Sequence, residues 1–176
     1  LAHGLSSRLA DNVRIGILGA PGPSDVELKG LLDKRGLADR VELTDADAPL
    51  AVTAALSLAD VVVVPTVAED ESEPFAMPHR ALEAMACGRA VVLTGPEAAF
   101  RETGVPGEHF LVSPARDPLR TAELVAGLLA DGARRDGLAR AAARHLERSA
   151  DLMARAEEVK AQHRDHAAAA GRAEGL

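Results

Sequence analysis

Two glutamates and an arginine, lying between two valine-rich segments, carry the chemistry most easily read from this chain. The stretch Glu69-Asp70-Glu71-Ser72-Glu73 places four carboxylates within five residues. Mutual repulsion turns most of them toward water, so a solvated loop is the ordinary reading of such a run. Glu73 is set apart because Pro74 and Phe75 stiffen and anchor the chain directly after it, and a fixed carboxylate accepts hydrogen bonds from sugar hydroxyls. Farther on, His79 and Glu83 are four residues apart and Arg80 and Glu83 three apart, so on a helix they share one neighbourhood. A carboxylate at Glu83 can hold the two hydroxyls of a ribose; the alternative is an ion pair with Arg80. Pro78 suits the first turn of such a helix, whose unbonded N–H groups around Met77 to Arg80 attract a phosphate, with Arg80 adding charge. An ordinary surface arginine is the plainer reading of Arg80.

Other residues offer less. The turn Gly19-Ala20-Pro21-Gly22-Pro23 follows a strand and precedes a helix, but it lacks the spaced glycines of a dinucleotide fingerprint and its prolines remove N–H donors. It reads as a loop that lets a ligand approach closely. Six histidines are scattered without metal-ligand spacing, and no metal or other cofactor is expected. Ser113, Ser149 and the histidines form no nucleophile motif, and Cys87 reads as a small packed residue.

The elements that must position these residues follow from the apolar pattern. Runs at Ile15 to Leu18, Val41 to Leu43, Val61 to Val64, Ala90 to Leu93 and Phe110 to Val112 read as strands. Helix signals lie between them, and that alternation implies a parallel sheet covered on both faces. Val61 to Val64 has no polar alternation and is expected to be a central strand buried on both sides. Ser24 with Glu27 forms a capping box, and Gly36 follows a basic last turn, giving a helix from about Asp25 to Arg35. Asp47 with Pro49 opens a helix that ends near Asp60, and Asp117 with Pro118 opens another that reaches about Asp131. The helix after Pro78 buries Leu82, Met85 and Ala86 and stops at Gly88. The fold class is therefore α/β, a Rossmann-like sheet of about five strands over residues 1–131. Residues 132–176 form a C-terminal helical extension of the same domain.

Bulk properties exclude several functions. With a net charge of −7, the chain is not expected to bind nucleic acid, whose affinity comes from Lys and Arg neutralising phosphates. A single cysteine excludes an internal disulfide and fits a reducing compartment, so the cytoplasm is the expected location. No apolar run approaches the ~20 residues that span a bilayer, and the first residues do not resemble a signal peptide. Only three aromatic residues are present, so Ala, Val and Leu must build the core. A first residue of Leu rather than Met reads as a fragment.

The segments ADVVVVPT, SEPF, LEAMACGRAVVLT and HFLVSPARDP, with ILGAPGP and GLADRVEL upstream, resemble the C-terminal donor-binding domain of GT-B glycosyltransferases. The resemblance is to the retaining group 1, family 4-like members, and it covers roughly residues 13–131. It implies half of a GT-B fold and transfer of a sugar from a nucleotide-diphosphate sugar, without metal, to an acceptor the sequence does not identify. By that resemblance Glu73 contacts the transferred sugar and Glu83 the nucleotide ribose. Phe75, Ala76 and Met77 line the site, the last two offering backbone N–H groups, and Arg80 stabilises the departing diphosphate.

The resemblance also implies that the family's first strand and its acceptor-binding domain would precede Leu1, so the chain alone should not catalyse transfer. Peripheral membrane association, where present, would belong to that absent domain. In a 3-2-1-4-5-6 sheet the missing strand is central. The chain must then pair Ile15 to Leu18 with Val61 to Val64 or leave a gap. Nine residues separate Glu73 from Glu83 where the family has seven, so either the loop carries an insertion or Glu73 is not the sugar-binding carboxylate. Gly95-Pro96 also replaces a glycine pair. The changed spacing, the family's basic loop missing with that first strand, and the acidic net charge suit a noncatalytic binding or interaction module, and a sugar-nucleotide epimerase of the same fold is a third reading.

Overall fold

The computed structural model describes residues 13–19, 23–45, 49–65 and 79–150. Five strands are observed: β1 (Ile15–Gly19), β2 (Val41–Asp45), β3 (Val61–Pro65), β4 (Ala90–Thr94) and β5 (Leu111–Ser113). They alternate with helices α1 (Pro23–Lys34), α2 (Pro49–Leu58), α3 (His79–Ala86) and α4 (Pro118–Ala130), and residues 132–150 form a further helix, α5. Three of the helices open on a proline, where the missing N–H costs no intrahelical bond. The helix expected from Asp25 begins earlier, at Pro23. Its end is as expected: Gly36 has φ +66°, Leu37 N–H donates to the Leu32 carbonyl (2.9 Å) and Gly36 N–H to that of Asp33 (3.1 Å). That pair of bonds is a left-handed glycine cap, which satisfies carbonyls the helix leaves open.

All strand pairings are parallel, as the alternation of strands and helices required, but they fall into two sheets: β1-β2, and β3-β4-β5. Among the described residues no ladder joins β1 to β3. Of the two expected outcomes, pairing of Ile15 to Leu18 with Val61 to Val64 or a gap between them, the described residues show the gap. It also corrects the expectation for Val61 to Val64. They are half-buried, whereas every residue of β4 is buried, because among the described residues β3 has a hydrogen-bonded neighbour on one side only. The last strand also starts one residue later than expected, with Phe110 held in a single bridge to Pro106.

Alternation along β4 sends side chains into two apolar clusters, one on each face of the sheet. Val91 and Leu93 pack with Val52 and Leu56 of α2, Ala81, Ala84 and Met85 of α3, and the Phe100–Phe110 pair. Ala90 and Val92 pack with Leu111 and with Ala122, Val125 and Leu128 of α4. α5 serves both clusters, with Leu138 in the second and Ala142 in the first. As the composition required, the interior is Ala, Val and Leu with an edge-to-face phenylalanine pair at 6.2 Å.

α5 is also held by a histidine pair. His109, 4% exposed, stacks on His145 of α5 with ring centroids 4.3 Å apart. Its Nδ1 accepts the Val105 N–H at 2.9 Å, so in the neutral ring the proton sits on Nε2, which is buried without a hydrogen-bond partner. Glu108 Oε1 stands 3.5 Å from it, too long for a good hydrogen bond but close enough to attract a protonated ring. Burial lowers the His109 pKa from 6.5, His145 and Arg148 lower it further, and Glu108 opposes them. The unfolded chain therefore takes up this proton at higher pH than the folded one. The stability tied to neutral His109 is complete above 6.5 and is lost as pH falls below 6.5 through the folded value. His109→Asn keeps an acceptor for Val105 and cannot ionise. Its melting temperature is expected to fall less between pH 7.5 and 5.5 than that of the parent chain. Equal falls would remove His109 from this account.

Candidate active site

α3 carries the two described residues on which the sequence placed nucleotide recognition. Its end is fixed by a second glycine cap: Gly88 has φ +67°, Arg89 N–H donates to the Ala84 carbonyl and Gly88 N–H to that of Met85, both at 3.0 Å. The Arg89 guanidinium bonds the carbonyls of Cys87 (3.1 Å) and Ala59 (3.4 Å), tying this turn to the chain just ahead of β3. The buried stripe of α3 is Ala81, Ala84 and Met85. Leu82 is only half-buried and Ala86 is exposed, a correction to the expected stripe of Leu82, Met85 and Ala86. Small residues at 81 and 84 let the helix lie close on the sheet, so the stripe is centred on them.

His79, Arg80 and Glu83 consequently stand on the exposed side of α3. Arg80 Nη1 donates to Glu83 Oε2 at 2.8 Å, with both side chains about half-exposed (46% and 48%). The structure thus brings together two of the residues selected from the sequence, in the ion pair that was the alternative reading. An exposed pair of this kind contributes about 0.2–1 kcal/mol, so either partner can exchange the other for a ligand at small cost. Glu73, Phe75, Ala76 and Met77 lie outside the described residues, as does the loop at 20–22.

A polar group not singled out from the sequence stands at the carboxyl ends of β4 and β5. Thr94, Ser113 and Thr121 are buried there, with Thr121 Oγ1 2.9 Å from both Ser113 Oγ and the Asp117 carbonyl. Gly95, φ +146°, donates its N–H to the Ser113 carbonyl at 2.9 Å. The Asp117 carboxylate caps α4 by accepting the Arg120 N–H at 2.9 Å. Thr94, Pro114, Arg116, Asp117, Pro118 and Thr121 line an open recess of about 260 Å³. The signal was present in the sequence: both AVVLT and LVS end an apolar run on a hydroxyl residue, at the sheet edge where α/β proteins bind ligands. Among the described residues no group of three His, Cys, Asp or Glu side chains converges as a metal site would require. No helix among them is long and apolar enough to cross a membrane.

Comparison with known proteins agrees with this architecture. HepE of Anabaena, solved in complex with UDP, matches with 18% identity and a TM-score of 0.69 over 90% of this chain and 44% of its own. Sucrose-phosphate synthase of Thermosynechococcus elongatus matches with 25% identity and a TM-score of 0.67, over 89% of this chain and 39% of its own. The C-terminal domain of the group 1 glycosyl transferase LpcC of Francisella tularensis matches with 24% identity and a TM-score of 0.55, covering 74% and 66% respectively. The chain therefore spans less than half the length of HepE and of the synthase. No curated protein matches it. The profile of the family described as "Glycosyl transferases group 1" matches residues 2–131, and the chain belongs to that family.

Proposed function

We propose that this chain is the donor-binding half of a retaining, metal-independent glycosyltransferase, acting in transfer of a sugar from a nucleotide-diphosphate sugar when joined by its acceptor-binding half. The observation that carries this reading is Glu83, exposed on the helix that follows the loop leaving β3 and held, among the described residues, by an exposed ion pair. In this role its carboxylate accepts both ribose hydroxyls, giving up Arg80 as it does so. Arg80 then turns to the diphosphate, beside the N–H groups at the start of α3, and offsets the charge that builds on the leaving group. Glu73 serves the transferred sugar, and the backbone at Ala76 and Met77 the sugar and phosphate. That HepE has been solved with UDP, and with UDP-glucose, supports a nucleotide-sugar donor.

Calorimetric titration of the chain with UDP- and GDP-sugars tests the reading. One of the two series is expected to bind saturably, and Glu83→Ala to weaken it at least tenfold, about 1.4 kcal/mol or more. Absence of saturable binding, or binding indifferent to Glu83→Ala, would sink it.

A second reading, a glycosyltransferase-like module without turnover, is favoured by the gap between β1 and β3, which lies at the strand-order reversal where such sheets hold their ligand. Release of nucleoside diphosphate from a donor by the chain joined to its acceptor-binding half would exclude it.

A further inference from the structure

We propose that the His109–His145 stack is an acid-operated latch: a proton gained by His109 releases residues 142–150 of α5 from the domain, while β3, β4, β5, α3 and α4 stay folded. The inference concerns a conformational switch and does not depend on the donor-binding reading. It rests on where the imidazole of His109 can take a proton. Nδ1 accepts the Val105 N–H at 2.9 Å, and the His109 N–H donates to the Val105 carbonyl, also at 2.9 Å. Nε2 already carries the proton of the neutral ring. A second proton must go to Nδ1, where it would stand donor to donor against the Val105 N–H. A half-turn of the ring does not relieve this, because it puts a carbon against that N–H and leaves the donor unpaired. Gly104 closes the seat on the same side, since a Cβ there would lie 2.7 Å from Nδ1. The protonated ring therefore leaves its seat, and with it goes the surface on which His145 stacks at 4.3 Å.

Surrounding charges do not hold the protonated ring in place. Burial opposes a positive charge on His109 most strongly, His145 and Arg148 of α5 add to that opposition, and Glu108 favours the charge. The Glu108 carboxylate meets Nε2 at 3.5 Å, so it does nothing for the crowded Nδ1, and its side chain is 64% exposed and screened by water. Because the folded value is lowered from 6.5, the latch stays closed above 6.5 and opens as pH falls through that lower value.

The two halves of α5 are held differently. In the first half the Asp131 carboxylate accepts the Arg134 N–H at 2.9 Å, Arg135 lies 3.8 Å from Asp60 and donates to the Leu128 carbonyl at 3.5 Å, and Leu138 is buried in the cluster beside α4. In the second half the described contacts with the domain are those of Ala142, of half-buried Leu146 and of His145 on His109. Alanine contributes little apolar area, so loss of the stack leaves this half weakly attached while the first half keeps its anchors. Opening uncovers apolar surface of the cluster that contains Phe100 and Phe110.

Amide hydrogen exchange of the full chain between pH 7.5 and 5.0, corrected for the intrinsic pH dependence of exchange, provides the test. Protection of 142–150 is expected to fall about tenfold for each pH unit below the folded value of His109, while the amides of β4 keep theirs. Imidazole nitrogen-15 signals are expected to show His109 as the Nε2–H tautomer at pH 7.5 and doubly protonated in acid, with the same midpoint as the exchange of 142–150. Both midpoints are read on the parent chain and stand whether or not a variant folds. His109→Asn, which keeps an acceptor for Val105 and cannot ionise, is expected to lose the pH dependence. His145→Leu removes a group that opposes the charge and is expected to move both midpoints to higher pH. Protection of 142–150 that is unchanged in acid, that falls together with that of β4, or that falls equally in His109→Asn would overturn the proposal. So would a His109 that gains its proton while 142–150 stay protected.

Discussion

Truncation of Phe110 to alanine is expected to lower stability by about 3–5 kcal/mol, as removal of a large buried aromatic does. Phe110 is fully buried, and its ring meets Phe100 edge to face at 6.2 Å and 78°. It stands in the cluster that joins α2, α3 and β4, and its carbonyl accepts the Gly107 N–H at 2.7 Å, so side chain and backbone together hold the entry to β5. Among the described residues Phe100 is the other aromatic ring of this cluster. Domains are stable by only about 5–15 kcal/mol, so a loss of this size leaves a substantial unfolded fraction. The chain has neither Trp nor Tyr, and circular dichroism in urea is the appropriate readout. Leu58→Ala, at a residue 86% exposed, is the control and is expected to change stability by no more than about 0.5 kcal/mol. A Phe110→Ala loss below about 1 kcal/mol would mean that the pair is not central to the core.

The second large effect is expected at Gly104. Its φ of +145° lies where L side chains are strained, and an added Cβ would stand 2.7 Å from His109 Nδ1 and 3.3 Å from His109 Cβ and Cγ. The imidazole cannot yield, because it is stacked on His145, buried, and bonded to Val105 through that same Nδ1. Backbone strain of about 1–3 kcal/mol thus adds to the loss of a buried hydrogen bond, about 1–3 kcal/mol. Gly107→Ala separates the two contributions, since Gly107 has φ +82° but open space where the Cβ would go. Gly104→Ala is expected to be the more damaging, and to release α5 together with the β5 entry. If the two variants melt at the same temperature, the contact with His109 contributes nothing.

Much of the fold was legible in the sequence because its signals are local. Five apolar runs became five strands, and Gly36 and Gly88 each stopped a helix through the left-handed cap that only glycine adopts without strain. Burial was less legible, since it depends on neighbours a strand does not itself encode. Val61 to Val64 read as a doubly covered strand and are half-exposed because, among the described residues, β3 pairs on one side only. On α3 the small residues Ala81 and Ala84 face the sheet in preference to Leu82, a choice made by the close approach of helix and sheet rather than by hydrophobicity. The site was legible to the extent that one helix carries it. Arg80 and Glu83 meet because they are three residues apart. The Thr94, Ser113 and Thr121 group was missed because its members come from three separate elements, which only tertiary structure unites.

The division of hydrogen bonding into two ladders bears on how the molecule opens. Among the described residues, no strand pairing joins β1, α1 and β2 to the rest, which they meet through side-chain packing, whereas β3, β4 and β5 share one continuous ladder between α3 on one face and α4 on the other. Cooperative units in proteins tend to follow such boundaries, and the unit with fewer buried contacts opens at lower free energy. The first unit accordingly comes loose sub-globally, at a cost set by Leu18, Ile15 and their few neighbours, while the second unfolds only with the domain. Backbone amides of β1 and β2 therefore exchange with solvent through a shorter excursion than those of β4, and the chain has two stabilities where its size alone would suggest one.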